Sequence, residues 1–150
     1  MENIAVQETI SFLSNTFPKI YSSLYLKYLK QYSELHNINK TQLKALVFLK
    51  GNSEINMTEL CAKLNIEKGS LTSLIDDLSE KGYVCREKTI NDRRKYIIVL
   101  TKEGNQIAKN FIEKLSNNLE NKFSKLNKED IKKYLYAMKF LENLIDKDLD

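Results

Sequence analysis

From Thr58 to Gly104 the chain reads TELCAKLNIEKGSLTSLIDDLSEKGYVCREKTINDRRKYIIVLTKEG. Thr58 has the chemistry of a helix N-cap, and Leu60, Cys61 and Leu64 follow on one face of a short helix. Asn65-Ile66 supplies a tight turn. Leu71, Leu74, Ile75 and Leu78 then form the apolar stripe of a second helix, from about Lys68 to Lys81, and Gly82 is placed to end it in a left-handed conformation. Two runs with strand character, Tyr83-Val84-Cys85 and Tyr96-Ile97-Ile98-Val99-Leu100, flank the polar segment from Lys88 to Lys95. That is a hairpin with a polar tip. Helix, turn, helix and hairpin in this order predict a winged helix-turn-helix. The fold class expected is mainly α with a small β-hairpin wing, α+β in the strict sense.

The flanks supply what such a lobe needs for cover. Ile10, Leu13, Phe17, Ile20, Leu24, Tyr28 and Leu35 recur at helical spacing, and Tyr21, Tyr25, Leu29 and Tyr32 fill a second face. A helix apolar on two faces is buried on two faces. In so small a protein the second face is expected to meet another chain. Pro18 is expected to start or kink this helix. Asn39 and Gln42 form a capping-box pair ahead of Leu43, Leu46, Val47 and Leu49, and Gly51-Asn52 ends that helix. Thr101 caps a long helix with Ile107, Phe111, Leu115, Leu119 and Phe123 on one stripe. Asn127 opens a last helix carrying Ile131, Leu135, Met138, Leu141 and Ile145. The expected organisation is an N-terminal dimerisation region over 1–36, a winged helix-turn-helix lobe over 37–104 and C-terminal dimerisation helices over 105–150, in one compact domain overall.

Composition narrows the function classes. With 150 residues, 42% hydrophobic and 29% charged, the chain has the make-up of a globular protein with a real core. Four Gly and one Pro are too few for an all-β fold. The abundance of Asn, Lys and Ile reads as the codon bias of an A·T-rich genome. No apolar run spans a bilayer and residues 1–7 lack a signal-peptide pattern, so a cytoplasmic location is expected. One His and two Cys cannot make a His/Cys zinc site or a disulfide framework. There is no Gly-rich phosphate loop, nucleophile elbow or zincin motif, so neither an enzyme nor a cofactor is expected.

The net charge of +4 fits nucleic acid without requiring it. Most of it is local. Arg86, Lys88, Arg93, Arg94 and Lys95 against Glu87 and Asp92 give 5 − 2 = +3 over residues 86–95. Arginines on a protruding tip suit a narrow minor groove. Lys68, Gly69, Ser70, Thr72 and Ser73 at the start of the second helix are slim, can meet base edges, and sit where helix amides favour phosphate. By composition alone, a merely solvated helix face remains open.

Three motifs in register go further. Asp92-Arg93-Arg94 followed by Leu100-Thr101-Lys102-Glu103-Gly104 resembles the wing signature of the MarR family. Leu78-Ser79-Glu80-Lys81-Gly82-Tyr83-Val84 and Ile38-Asn39-Lys40-Thr41-Gln42 are similar to two further stretches of that family. The resemblance implies a transcriptional regulator, a repressor by expectation, that binds double-stranded DNA as a homodimer on a pseudo-palindromic operator. It puts the helix at about 68–81 in the major groove and Arg94 in the minor groove, with Asp92 bracing the wing turn. The DNA-binding set is then Lys68, Gly69, Ser70, Thr72, Ser73, Arg86, Asp92, Arg93, Arg94 and Lys95. Ser73 and Asp77 depart from the family's frequent arginines, Asp76 and Asp77 would repel phosphate, and Glu67 is a weak cap, which leaves more of the affinity to the wing.

The resemblance also implies a small aromatic or phenolic effector. Tyr21, Tyr25 and Tyr28 are the candidate wall of its pocket, although core or dimer packing is the simpler explanation of tyrosines at this spacing. Cys61 and Cys85 are expected to be small buried hydrophobes, and His36 to be a helix-end residue. Two alternatives stand beside this reading: a winged helix used for protein contact without DNA, and a redox-responsive regulator acting through Cys61 or Cys85.

Overall fold

The structure is a computed structural model and describes residues 2–52, 55–88 and 96–145. Four of the proposed wing residues, Asp92, Arg93, Arg94 and Lys95, lie outside the described residues.

Residues 2–35 form an unbroken helical run. It comprises α1 (Glu2–Ser11), a π turn (Phe12–Thr16), α2 (Phe17–Tyr21), a second π turn (Ser22–Leu26) and α3 (Lys27–Leu35). The backbone stays right-handed helical at the junctions, for example at Ser11 and Tyr21. Pro18 does not start this helix, which begins at Glu2. The N–H of Phe17 donates to the carbonyl of Phe12, five residues back, so the ladder has already shifted when Pro18 arrives in the first turn of α2. There the missing N–H of proline costs least.

The next elements are α4 (Lys40–Gly51), β1 (Ile55–Asn56), α5 (Met57–Leu64), α6 (Lys68–Glu80), β2 (Val84–Lys88), β3 (Tyr96–Leu100), α7 (Lys102–Phe123) and α8 (Lys128–Ile145). The Asn39–Gln42 capping box on α4 is present, with both bonds at 2.8–2.9 Å. Helix α5 corrects the sequence expectation. Its N-cap is Asn56, not Thr58: Asn56 Oδ1 accepts from the Glu59 N–H and Glu59 Oε2 accepts from the Asn56 N–H, both at 3.0 Å. The cap moves because Ile55 and Asn56 are already extended as a strand, antiparallel to Ile98 and Ile97. The sheet order is therefore β1-β3-β2, with Ile98 of the central strand fully buried.

Helix α6 ends as expected. Gly82 has φ +74, and the Tyr83 N–H reaches back to Leu78 O at 2.9 Å, a Schellman-type close. The segment that leaves β3 returns to this corner. Thr101 donates its N–H to Tyr83 O and its hydroxyl to Gly82 O, while Thr101 Oγ1 caps α7 by accepting from the Gly104 N–H. The Leu-Thr-x-x-Gly spacing thus ties the exit of the wing to its entry.

By packing, the chain divides into two units, Met1–Leu115 and Ser116–Asp150. The first holds the core. Leu29 of α3, Leu43 and Leu46 of α4, Leu60 of α5, Leu71, Ile75 and Leu78 of α6, and Phe111 of α7 are all buried. Tyr32 anchors α3 to α7, its hydroxyl donating to Ile107 O at 3.2 Å and its ring edge-on to Phe111. The same unit leaves Ile4, Val6, Ile10, Leu13, Phe17 and Ile20 exposed. In the second unit Phe123 packs on Tyr134, and Leu135, Tyr136, Met138, Phe140 and Leu141 are exposed. Among the described residues no helix is long and apolar enough to cross a membrane.

Candidate nucleic-acid interface

Helices α5 and α6 are joined by a turn in which Asn65 takes left-handed geometry, φ +52. The stripe Leu71, Leu74, Ile75 and Leu78 faces the core, so the opposite side of α6 is turned outward. Lys68, Gly69, Ser70, Thr72 and Ser73 are all exposed in its first two turns. Thr72 donates its hydroxyl to Lys68 O, leaving its oxygen lone pairs outward. Glu67, the N-cap, makes no side-chain cap bond, so the first amides of α6 gain nothing from it and remain suited to an anion. Asp76, Asp77 and Glu80 continue the exposed side.

In β2 the side chains alternate. Val84 is buried against the core, so Arg86, two residues on, leans to the same side, toward α6. Its Nη2 meets Asp76 Oδ1 at 2.6 Å. Of the predicted wing cations, this one therefore already has a carboxylate partner within the chain. Cys85, between them, points the other way and is exposed, while Cys61 is half-buried. The expectation of two buried cysteines is thus corrected. Strand parity, which the sequence leaves open when only one inward residue is evident, decides the outcome for Cys85. Among the described residues there is no group of three or more metal-ligating side chains.

The tyrosines separate. Tyr21 and Tyr25 line a cleft of about 310 Å³ with Lys44, Val47 and Phe48 of α4 and Lys63 and Leu64 of α5. Tyr28 is half-buried against the core and is not part of its lining. The Tyr21 and Tyr25 rings lie 5.6 Å apart, and Lys44 Nζ sits 5.6 Å from the centre of the Tyr21 ring. Burial, and secondarily the proximity of Tyr21, pushes the Tyr25 phenol up to about 12, so it remains a neutral donor at any physiological pH. The cleft is apolar on its walls and carries two cations. Lys44, Phe48 and Lys63 were not legible as pocket residues. Their own helices show them as ordinary outward positions, and only the approach of α4, α5 and the N-terminal run makes them neighbours.

Comparison with known proteins agrees with this architecture. Residues 36–95 match the model of the MarR family. The HTH-type transcriptional regulator SarZ of Staphylococcus epidermidis is 26% identical over 150 residues, spanning 100% of this chain and 95% of SarZ. A MarR family protein from Bacillus stearothermophilus superposes with a TM-score of 0.81 at 21% identity, covering 93% of this chain and 97% of its own. NadR in complex with 4-hydroxyphenylacetate has a TM-score of 0.74 at 22% identity, covering 92% and 94%. The two structures speak for the fold, and SarZ is itself a transcriptional regulator. The chain therefore has the winged helix-turn-helix fold of these proteins, and it is similar to the MarR family over residues 36–95 and to a transcriptional regulator along its whole length.

Proposed function

We propose that this protein is a repressor that binds a pseudo-palindromic operator as a homodimer and is released by a small aromatic acid. The observation that carries the DNA reading is the outward face of α6. Lys68, Gly69, Ser70, Thr72 and Ser73 form a slim, polar, uncapped helix start beside a hairpin whose sequence is basic. Such a helix fits a major groove about 12 Å wide, and its amides complement phosphate. Arg93, Arg94 and Lys95 supply the wing contacts in this reading, with Arg94 in the minor groove.

Titration against operator duplex over a salt series tests it. Affinity is expected to fall with a log–log slope of roughly −0.9 per phosphate neutralised. Arg94→Ala is expected to lose about 1–3 kcal/mol of operator binding while the fold is retained. A flat salt response would leave the winged helix as a protein-contact module.

The effector site in this reading is the cleft of Tyr21, Tyr25, Phe48, Lys44 and Lys63. Two rings stack on an aromatic ligand, the neutral Tyr25 hydroxyl donates, and the lysines neutralise an acid group. The NadR ligand, an aromatic acid, is of this class. With 4-hydroxyphenylacetate and related aromatic acids as probes, operator affinity of the wild type is expected to drop. Lys44→Ala combined with Lys63→Ala is expected to keep DNA binding and lose the response. No response to any such acid in the wild type would remove the effector assignment.

A further inference from the structure

We propose that Asp76 sharpens the sequence discrimination of this protein by withholding Arg86 from the DNA backbone. The inference rests on the DNA-binding reading above. Asp76 follows Gly69, Thr72 and Ser73 by seven, four and three residues, which puts it on the same outward strip of α6. Arg86 approaches that strip from β2, on the side of the buried Val84, and its Nη2 lies 2.6 Å from Asp76 Oδ1. The Arg86 and Asp76 side chains are 40% and 52% exposed, so DNA seated on this strip can reach both.

A charge-assisted contact of this kind gives a unit with no net charge. A phosphate that takes the remaining N–H donors of Arg86 meets the Asp76 carboxylate beside them, and for Arg86 to turn its charge fully to the phosphate the pair has to open. One carboxylate then faces a polyanion without its counter-charge, and the new contact is offset by the repulsion it exposes. The pair is therefore carried onto DNA closed. Phosphate contacts carry no sequence information, whereas base-edge contacts do. Withholding Arg86 lowers non-specific binding, which rests on phosphate contacts alone, more than operator binding, which also draws on the register of β2 and α6 that the closed pair holds. It leaves the readout by the start of α6 untouched, and the closed pair holds β2 in register with the reading helix.

The test is a double-mutant cycle on the full-length protein with Asp76→Asn, Arg86→Gln and the combination, each titrated against a random-sequence duplex over a salt series and against the operator. The Asp76→Asn change is nearly isosteric, so the comparison isolates charge; Asp76→Ser serves the same arm if Asp76→Asn melts early.

Asp76→Asn is expected to bind random duplex several-fold more tightly. Its salt slope should steepen by about 0.9 per protomer, one phosphate's worth. Operator affinity should gain less, so the ratio of specific to non-specific binding falls. In the Arg86→Gln background the same change should leave the slope unaltered. An unchanged slope for Asp76→Asn overturns the proposal. So does an equal gain in both backgrounds, which would reduce Asp76 to simple repulsion. A wild type that binds no DNA at any salt would instead fail the underlying reading.

Discussion

Gly104→Ala is expected to destabilise the first unit by about 3 kcal/mol, at the upper end for overpacking a filled site. A Cβ at this position would collide with Tyr83 O and stand 2.8 Å from Tyr83 C. Both are backbone atoms, so no rotamer change relieves the clash. Moving Tyr83 has its own consequences. Its carbonyl accepts from the Thr101 N–H, its N–H closes α6 on Leu78 O, and the Thr101 hydroxyl holds the neighbouring Gly82 O. The displacement would thus reach the end of α6 and both ends of the wing together. Denaturant unfolding of the wild type, Gly104→Ala and Gly51→Ala checks this. Gly51 has nothing within 4 Å of its built Cβ and lies in α4, so alanine there is expected to be neutral or slightly stabilising. Equal stability of Gly104→Ala and wild type would show that the approach of α7 to Tyr83 is not this close.

The double substitution Ile10→Glu with Leu13→Glu is expected to turn a dimer into a monomer and to lower operator affinity by about 10²–10⁴-fold. Ile4, Val6, Ile10, Leu13, Phe17 and Ile20 are exposed along the N-terminal run, and Leu135, Phe140 and Leu141 are exposed on α8. Each unit thus leaves apolar side chains uncovered, and a second copy of the chain is the proposed cover. Carboxylates placed there would be buried without partners if the dimer formed. The effect on DNA binding follows from geometry. A dimer that holds two reading helices one DNA turn apart, about 34 Å, makes the second half-site contact intramolecular. A monomer loses that advantage without losing any contact of its own. Light scattering is expected to report twice 17.5 kDa for the wild type and 17.5 kDa for the variant. A monomeric wild type at micromolar concentration, or a variant that keeps both its dimer and its affinity, would defeat the reading.

Features set by contacts within a turn or so of chain were legible from residue types. The Asn39–Gln42 box, the Gly82 termination, the Thr101 cap and the Asn127 cap each join groups three to five residues apart, and each is present. The apolar stripes of α4, α6 and α7 declared their inward faces in the same way, because a helix repeats its surface every 3.6 residues. The order of helix, turn, helix and hairpin between Thr58 and Leu100 carried the fold class.

Where the meaning of a residue depends on a partner far along the chain, spacing was silent. The two-residue strand β1 exists because Ile55 and Asn56 meet Ile98 and Ile97, beyond the whole of α5, α6 and β2, and this pairing displaces the cap of α5 from Thr58 to Asn56. Cys85 is exposed because Val84 occupies the inward side of β2. Lys44 and Lys63 come to share a cleft with Tyr21 and Tyr25, and Arg86 comes to meet Asp76, through the packing of separate elements. Local hydrogen bonds and periodicity belong to short segments and survive in any context that keeps the helix. The facing of a strand, the lining of a cleft and the pairing of charges across elements arise from the shared core, where burial of Leu60, Ile75, Ile98 and Phe111 selects one arrangement among many that the local rules allow.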